Sequence, residues 1–199
     1  MNREHAQQRA ASAQAGEPFA SITRRFLAWV IDVVVVTLLI FVGVSLMGAI
    51  LGPAVRIHLE AATLEDVVKA DLGRIALDAL LATGLSAAYF VLSWALLDGS
   101  PGQLALRMRV RDREGDTLSM GRALARWILL FPPFAAASAL TAGMPRLGVL
   151  IWASAVVWYL ILLLTAARSE MKQGLHDRIA ASVVRMRRAE AAYGIVDVR

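Results

Sequence analysis

Asp32 stands in the run RRFLAWVIDVVVV, residues 24–36, where two arginines open a stretch that is otherwise almost wholly apolar. A carboxylate at the centre of a membrane-spanning helix costs roughly 2.5–3.5 kcal/mol on insertion scales, so a partner or a function has to offset it. Arg25 precedes it by about two helical turns, which brings the pair within about 20° around the axis. Along the axis they are about 10 Å apart and both side chains lean toward the N-terminus, so no direct pair within one helix is expected. The partner of Asp32 is therefore a cation, a hydroxyl or a water from another element. A carboxylate without a cation beside it suits proton exchange; one reached by arginine suits a structural pair.

The other ionisable residues at membrane depth are fewer. Asp78 lies near the start of a second apolar run, far in depth from Asp32, where it either forms the outer end of a relay or faces water at a helix start. Arg122 and Arg126 precede or enter a third apolar run and are secondary site candidates. His5, His58 and His176 are scattered over a tail and two loops, without metal-ligand spacing, so no metal site is expected. His176-Asp177 is a weak metal signal that reads rather as a structural contact, and His176 joins Asp78 among the secondary site candidates. Cysteine is absent, which removes disulfide, thiol and thiolate chemistry. No phosphate-binding glycine loop or catalytic constellation accompanies these residues, so neither an enzyme nor a cofactor is expected.

Elements that hold such residues must cross a bilayer. The chain has 199 residues, 58% of them hydrophobic, far more than a soluble domain needs. About 20 apolar residues in helix span the hydrocarbon. Four stretches qualify, at about 26–51, 75–97, 123–142 and 147–167. The third contains Arg126 near its start and Pro132-Pro133 inside it, and is expected to be a kinked span or a re-entrant segment. The first run follows a polar leader and has no cleavage pattern, so it reads as a retained span. Small residues (Ala82, Thr83, Gly84, Ser86, Ala87 and Ala88, with Gly43 and Gly48 on the first run) allow close helix approach.

Charge sets the orientation. Arginines gather before the first run, between the second and third (Arg107, Arg109, Arg111, Arg113, Arg122), and after the fourth, whereas the first-to-second loop balances base with acid and the third-to-fourth turn has only Arg146. Positive loops stay cytoplasmic. The expectation is a multi-pass protein of the bacterial inner membrane with both termini inside and the lipid bilayer as its first partner. The net charge of +5 follows from this asymmetry, and nothing resembles a nucleic-acid recognition module.

Residues 1–18 and 189–199 read as tails flanking a membrane domain at 19–188; the first, rich in Ala and Gln, is expected to be disordered. Residues 55–73 read as a short surface helix ended by Gly73. Asp98-Gly-Ser-Pro-Gly102 is dense in turn formers and stops the second helix. From Leu106 the chain alternates, with Leu106, Met108 and Val110 on one side and Arg107, Arg109 and Arg111 on the other, as a strand requires. Glu114-Gly115-Asp116 is a tight turn and Ser119 a helix cap. Residues 181–187 are strand-like and are expected to pair with 106–111 in a small hairpin-like cytoplasmic sheet. The fold class is thus an all-α membrane protein of four spans with one small β element.

The arginine-led RRFLAWVID, the turn GSPGQLALRMRVRD, the following LSMGRALAR and the terminal QGLHDRIAASVVRM, in this order, resemble the RDD family of bacterial membrane proteins over about residues 18–188. The arginine and two aspartates that name the family would be Arg25, Asp32 and Asp177. Ser100 stands where a threonine is common, and Ala181-Ser182 where Gly-Thr is common. The resemblance implies transport of unidentified ligands, or exchange of sodium or potassium for protons.

Two functions follow. One is a small homo-oligomeric transporter or cation/proton antiporter in which Asp32 binds the ion, Arg25 tunes it and Asp177 lies at the cytoplasmic mouth; four spans without an inverted repeat are few for one chain to transport alone. The other is a non-catalytic adaptor or assembly factor in which Arg25, Asp32 and Asp177 form a polar lock. The two differ in whether Asp32 lines an open, water-filled cavity or is enclosed by arginine and backbone donors.

Overall fold

The computed structural model describes residues 19–57 and 68–187. The expected tails and residues 58–67 lie outside the described residues. Helix α1 (Ile22–Leu51) starts where the Ser21 hydroxyl accepts from the Arg24 amide and ends at Gly52, whose φ of 85° an L side chain rarely adopts. Its length of about 45 Å exceeds the hydrocarbon thickness. This keeps Arg24 and Arg25 at one end while Asp32 sits deeper.

Most of the surface helix expected at 55–73 falls on residues 58–67, outside the described residues; at its two ends the structure has strands and the start of the next helix. Residues Val55–Ile57 (β1) and Val68–Ala70 (β2) form an antiparallel pair, and Gly73 lies in the first turn of α2 (Leu72–Leu96) rather than closing a helix. The physical reason lies in two local signals: β-branched residues favour the strands, and the Asp71 carboxylate accepts from the Arg74 amide at 2.9 Å and so starts the helix. Helices α1 and α2 pack together; a side-chain carbon on Gly43 would come within 2.8 Å of Leu85. Gly48 and Gly84 have no such neighbour.

The turn after α2 carries a five-residue helix, α3 (Pro101–Ala105), then strand β3 (Met108–Asp112). The third apolar stretch is two helices, α4 (Met120–Leu130, capped by Ser119) and α5 (Pro132–Gly143). At 12 residues, α5 is about 18 Å long, too short to cross alone. The break falls at Phe131 because Pro132 and Pro133 have no amide hydrogen to continue the ladder. The carbonyls left over find donors in the next long helix, α6 (Gly148–Arg168): Trp158 Nε1 donates to Leu129 O at 3.0 Å and Tyr159 Oη to Leu130 O at 2.7 Å. A broken helix survives in an apolar setting only with such partners.

Among the described residues, three helices, α1, α2 and α6, are long and apolar enough to cross a membrane. The third apolar stretch, expected as a kinked span or a re-entrant segment, is this pair of shorter helices broken at Phe131. A short α7 (Leu175–Ile179) and strand β4 (Ser182–Met186) complete the described chain. Strands β3 and β4 pair antiparallel with Val110 opposite Val184, close to the register expected from the alternation. Met108, Val110, Val183 and Val184 are buried, whereas Arg109 and Arg111 are partly exposed. Phe19 bridges to Arg185, and the Ala20 amide donates to Val184 O at 3.0 Å. The start of α1 is thereby tied to β4. The sheet joins the ends of α1, α2 and α4 in one buried cluster that includes Ala28, Phe90, Trp94 and Trp127.

Candidate functional site

Arg25, one turn into α1, has every polar nitrogen engaged. Its Nε donates to Ala20 O, one terminal nitrogen to Asp177 Oδ2 at 2.9 Å, and the other to Val184 O at 3.3 Å. One side chain thus fastens the start of α1 to α7 and β4. Asp177 is fully buried at the first turn of α7, where its carboxylate also accepts from the Gly174 amide and the Ser182 hydroxyl. Its other oxygen lies 3.0 Å from Arg126, which α4 brings in from the opposite side. The Arg126 guanidinium carbon is 4.6 Å from the centre of the Trp94 ring, a cation–π distance.

Two arginines therefore share one buried carboxylate. Burial alone would raise the Asp177 carboxyl, but the Arg126 and Arg25 charges, with the Gly174 amide, hold it below the usual carboxylate range. His176 Nε2 is 3.3 Å from Asp177 Oδ1. Burial pushes this imidazole down to about 4, with Asp177 opposing the shift and the two arginines adding to it. It is neutral at pH 7. The aspartate thus remains the anion of the cluster and the histidine a neutral neighbour.

Asp32 occupies a separate cell. Its Oδ1 accepts from Tyr89 Oη at 2.9 Å and from the Gly102 amide at 2.7 Å, and its Oδ2 accepts from the Ser100 hydroxyl. None of these partners is an arginine. The expected hydroxyl from another element is present twice, together with a backbone donor at the start of α3. Only glycine fits at 102: a side-chain carbon there would overlap the Ala28 carbonyl and come within 2.9 Å of the Asp32 carboxylate. Gln103 secures the same turn, accepting from Trp94 Nε1 and from the Ser100 amide, both at 3.0 Å.

Between the two cells lies a cavity of about 240 Å³, lined in part by Arg25, Asp32, Trp94, Gln103, Arg126 and His176. Arg25, Asp32, Arg126, His176 and Asp177 are thus gathered at one end of the bundle. Asp78 is not among them. It pairs with Arg74 at 2.8 Å near the other end of α1, where Arg74 also donates to Met47 O and Gly52 O. Arg122 pairs with Asp112 at 3.2 Å on a largely exposed edge and does not line the cavity.

Sequence reasoning missed Tyr89, Ser100, Gly102 and Trp94 as partners. The signal for Ser100 and Gly102 was the SPG turn itself, whose backbone donors follow from a helix starting at Pro101. Tyr89 and Trp94 carried none, because a single aromatic on an apolar helix is ordinary packing until another element is seen against it.

Such a bundle, with long apolar helices and buried arginine–aspartate contacts at one end, defines a multi-pass membrane protein whose polar residues join helix ends to loops. Residues 19–181 match the model of the RDD family, and the chain belongs to that family. Neither the curated proteins nor the solved structures hold a match to it.

Proposed function

We propose that the chain is a non-enzymatic inner-membrane scaffold or assembly factor whose Arg25, Asp32 and Asp177 lock the helix ends to the adjoining loops. The observation that supports this reading is that donors of the fold itself hold both aspartates. Asp32 accepts three hydrogen bonds from Tyr89, Ser100 and Gly102, and Asp177 is held between Arg25 and Arg126. A carboxylate that must release and rebind a cation needs free lone pairs during its cycle. Here Asp32 has three of its roughly four acceptor positions committed to the fold, and Asp177 meets Arg25, Arg126, Gly174 and Ser182.

The same contacts support a topology with both termini on the cytoplasmic side. Residues 20, 108–112 and 182–186 are joined by backbone hydrogen bonds directly or through the sheet. Helices α1 and α2 form one out-and-back pair, and α6 is about 31 Å long. Returning the chain to the same sheet then calls for α4 and α5 together to make the remaining crossing. The arginine-rich loops at that end agree with a cytoplasmic face.

A second reading, a homo-oligomeric sodium or potassium/proton exchanger, draws on one observation: Asp32 lines the cavity together with Arg126 and His176. One experiment separates the two. Purified wild type and Asp32→Asn are reconstituted in liposomes at matched insertion, and proton movement is followed under sodium or potassium gradients. The scaffold reading expects no flux above empty liposomes and a lower unfolding temperature for Asp32→Asn. Cation-driven flux that Asp32→Asn abolishes without loss of stability would overturn it.

A further inference from the structure

Arg126 is 3% exposed, and a guanidinium carries five N–H donors. One terminal nitrogen faces Asp177, and the Trp94 ring lies against the flat face. Its Nε and its other terminal nitrogen are buried and have no hydrogen-bond partner among the described residues. Buried charged donors without acceptors are costly, and native proteins rarely leave them so. The neighbouring carboxylates do not relieve this deficit: Asp177 meets only the first terminal nitrogen, and Asp32 accepts from Tyr89, Ser100 and Gly102 instead. The cavity that Arg126 lines is therefore short of acceptor oxygens.

The rim of that cavity points to where the acceptors come from. Phe26 and Trp29 on α1 and Leu163 on α6 line it and are 58%, 49% and 50% exposed. These apolar side chains lie on two helices long and apolar enough to span a bilayer, so the exposed rim faces acyl chains and not solution. A ligand that fits brings oxyanion oxygens inward and an apolar tail along the rim. We propose that this cavity binds the phosphodiester headgroup of an anionic phospholipid, with Arg126 as the buried donor and Phe26, Trp29 and Leu163 against its chains. Free phosphate shares the headgroup chemistry but lacks the tail.

The test uses the full chain purified in neutral detergent, with unfolding temperature read against added phosphatidylglycerol, phosphatidylcholine or inorganic phosphate. Phosphatidylglycerol is expected to give a saturable rise, roughly 5 °C at a hundredfold excess over Kd. Phosphatidylcholine and phosphate are expected to give less than half of it. Arg126→Gln removes the donors but also disturbs Asp177, so Leu163→Trp serves as the second variant. It fills the rim while leaving the Arg126–Asp177 pair and every surface arginine in place, and should at least halve the rise. An equal rise in Leu163→Trp, or none in wild type, overturns the site. An equal rise with phosphate alone or with phosphatidylcholine overturns the anionic lipid as its occupant.

Discussion

Arg126 of α4 lies 3.0 Å from Asp177 of α7, and Arg25 of α1 lies 2.9 Å from the other oxygen of the same carboxylate. Three elements far apart in the chain thus meet on one buried anion. The relation ties α4, which ends just before Pro132-Pro133, to α7 and through the shared carboxylate to the start of α1. Removing the shared partner would leave both arginines without their common anion.

Asp177→Asn would leave two arginines facing a neutral amide in a buried setting. Breaking a buried pair from one side costs about 3–5 kcal/mol. The variant is expected to unfold well below wild type in detergent, and Asp177→Glu, which keeps the charge but displaces it, to fall between the two.

At Asp32 the loss is of acceptors more than of charge. Asp32→Asn keeps one oxygen for Tyr89 and Gly102 but turns an amide donor toward Ser100; the expected cost is about 1–3 kcal/mol. Ser100→Ala should show a loss of the same order, and the double variant less than the sum. A double-mutant cycle on unfolding temperatures measures that coupling.

Gly102→Ala tests the close approach of α3 to α1. The added carbon would collide with the Ala28 carbonyl oxygen, a backbone atom that cannot rotate away. An overpacking loss of about 1–3 kcal/mol is expected. A wild-type unfolding temperature in this variant would show that α3 can move off α1 freely.

Ala181 adopts φ of 49°, in the left-handed region that costs most L-residues roughly 1–2 kcal/mol. Glycine, common at this position in the resemblance read from the sequence, removes that strain and adds some freedom to the unfolded chain. Ala181→Gly is therefore expected to stabilise by about 0.5–1 kcal/mol, measured as a higher unfolding temperature.

Acid should weaken the fold in a defined window. His176 is pushed from 6.5 to about 4 in the folded chain, so between these values the unfolded chain holds a proton that the folded chain does not. Stability is fully present above pH 6.5 and declines as pH falls toward 4, by about 3 kcal/mol across the window. The lowered Asp177 carboxyl acts in the same direction at more acidic pH, losing its contribution below 3.8. His176→Gln should flatten the decline between pH 6.5 and 4 while leaving the more acidic loss.

The amino-acid order by itself determined the long apolar helices, the cap at Ser119, the alternating strand after Leu106 and the unusual carboxylate at Asp32. Each rests on local signals: a continuous hydrophobic run, a side-chain oxygen before a helix, a period of two, a charge in an apolar window. The pairing of 108–112 with 182–186 was also legible, because two short alternating segments at one end of a bundle have few other edges to satisfy. The pairing of Val55–Ile57 with Val68–Ala70 was not, since three-residue stretches of β-branched and charged residues fit a helix and a strand alike until the neighbouring chain is seen. Nor was the placement of the break between α4 and α5 enough to say what would satisfy it; that depended on Trp158 and Tyr159 from the next helix. Above all, Arg25 and Asp32 looked like one site because they share a helix face, yet tertiary packing sends Arg25 to Asp177 and Asp32 to Tyr89, Ser100 and Gly102. A sequence period fixes the direction in which a side chain leaves its own helix, but the partner it meets there depends on which other elements the chain folds against that face.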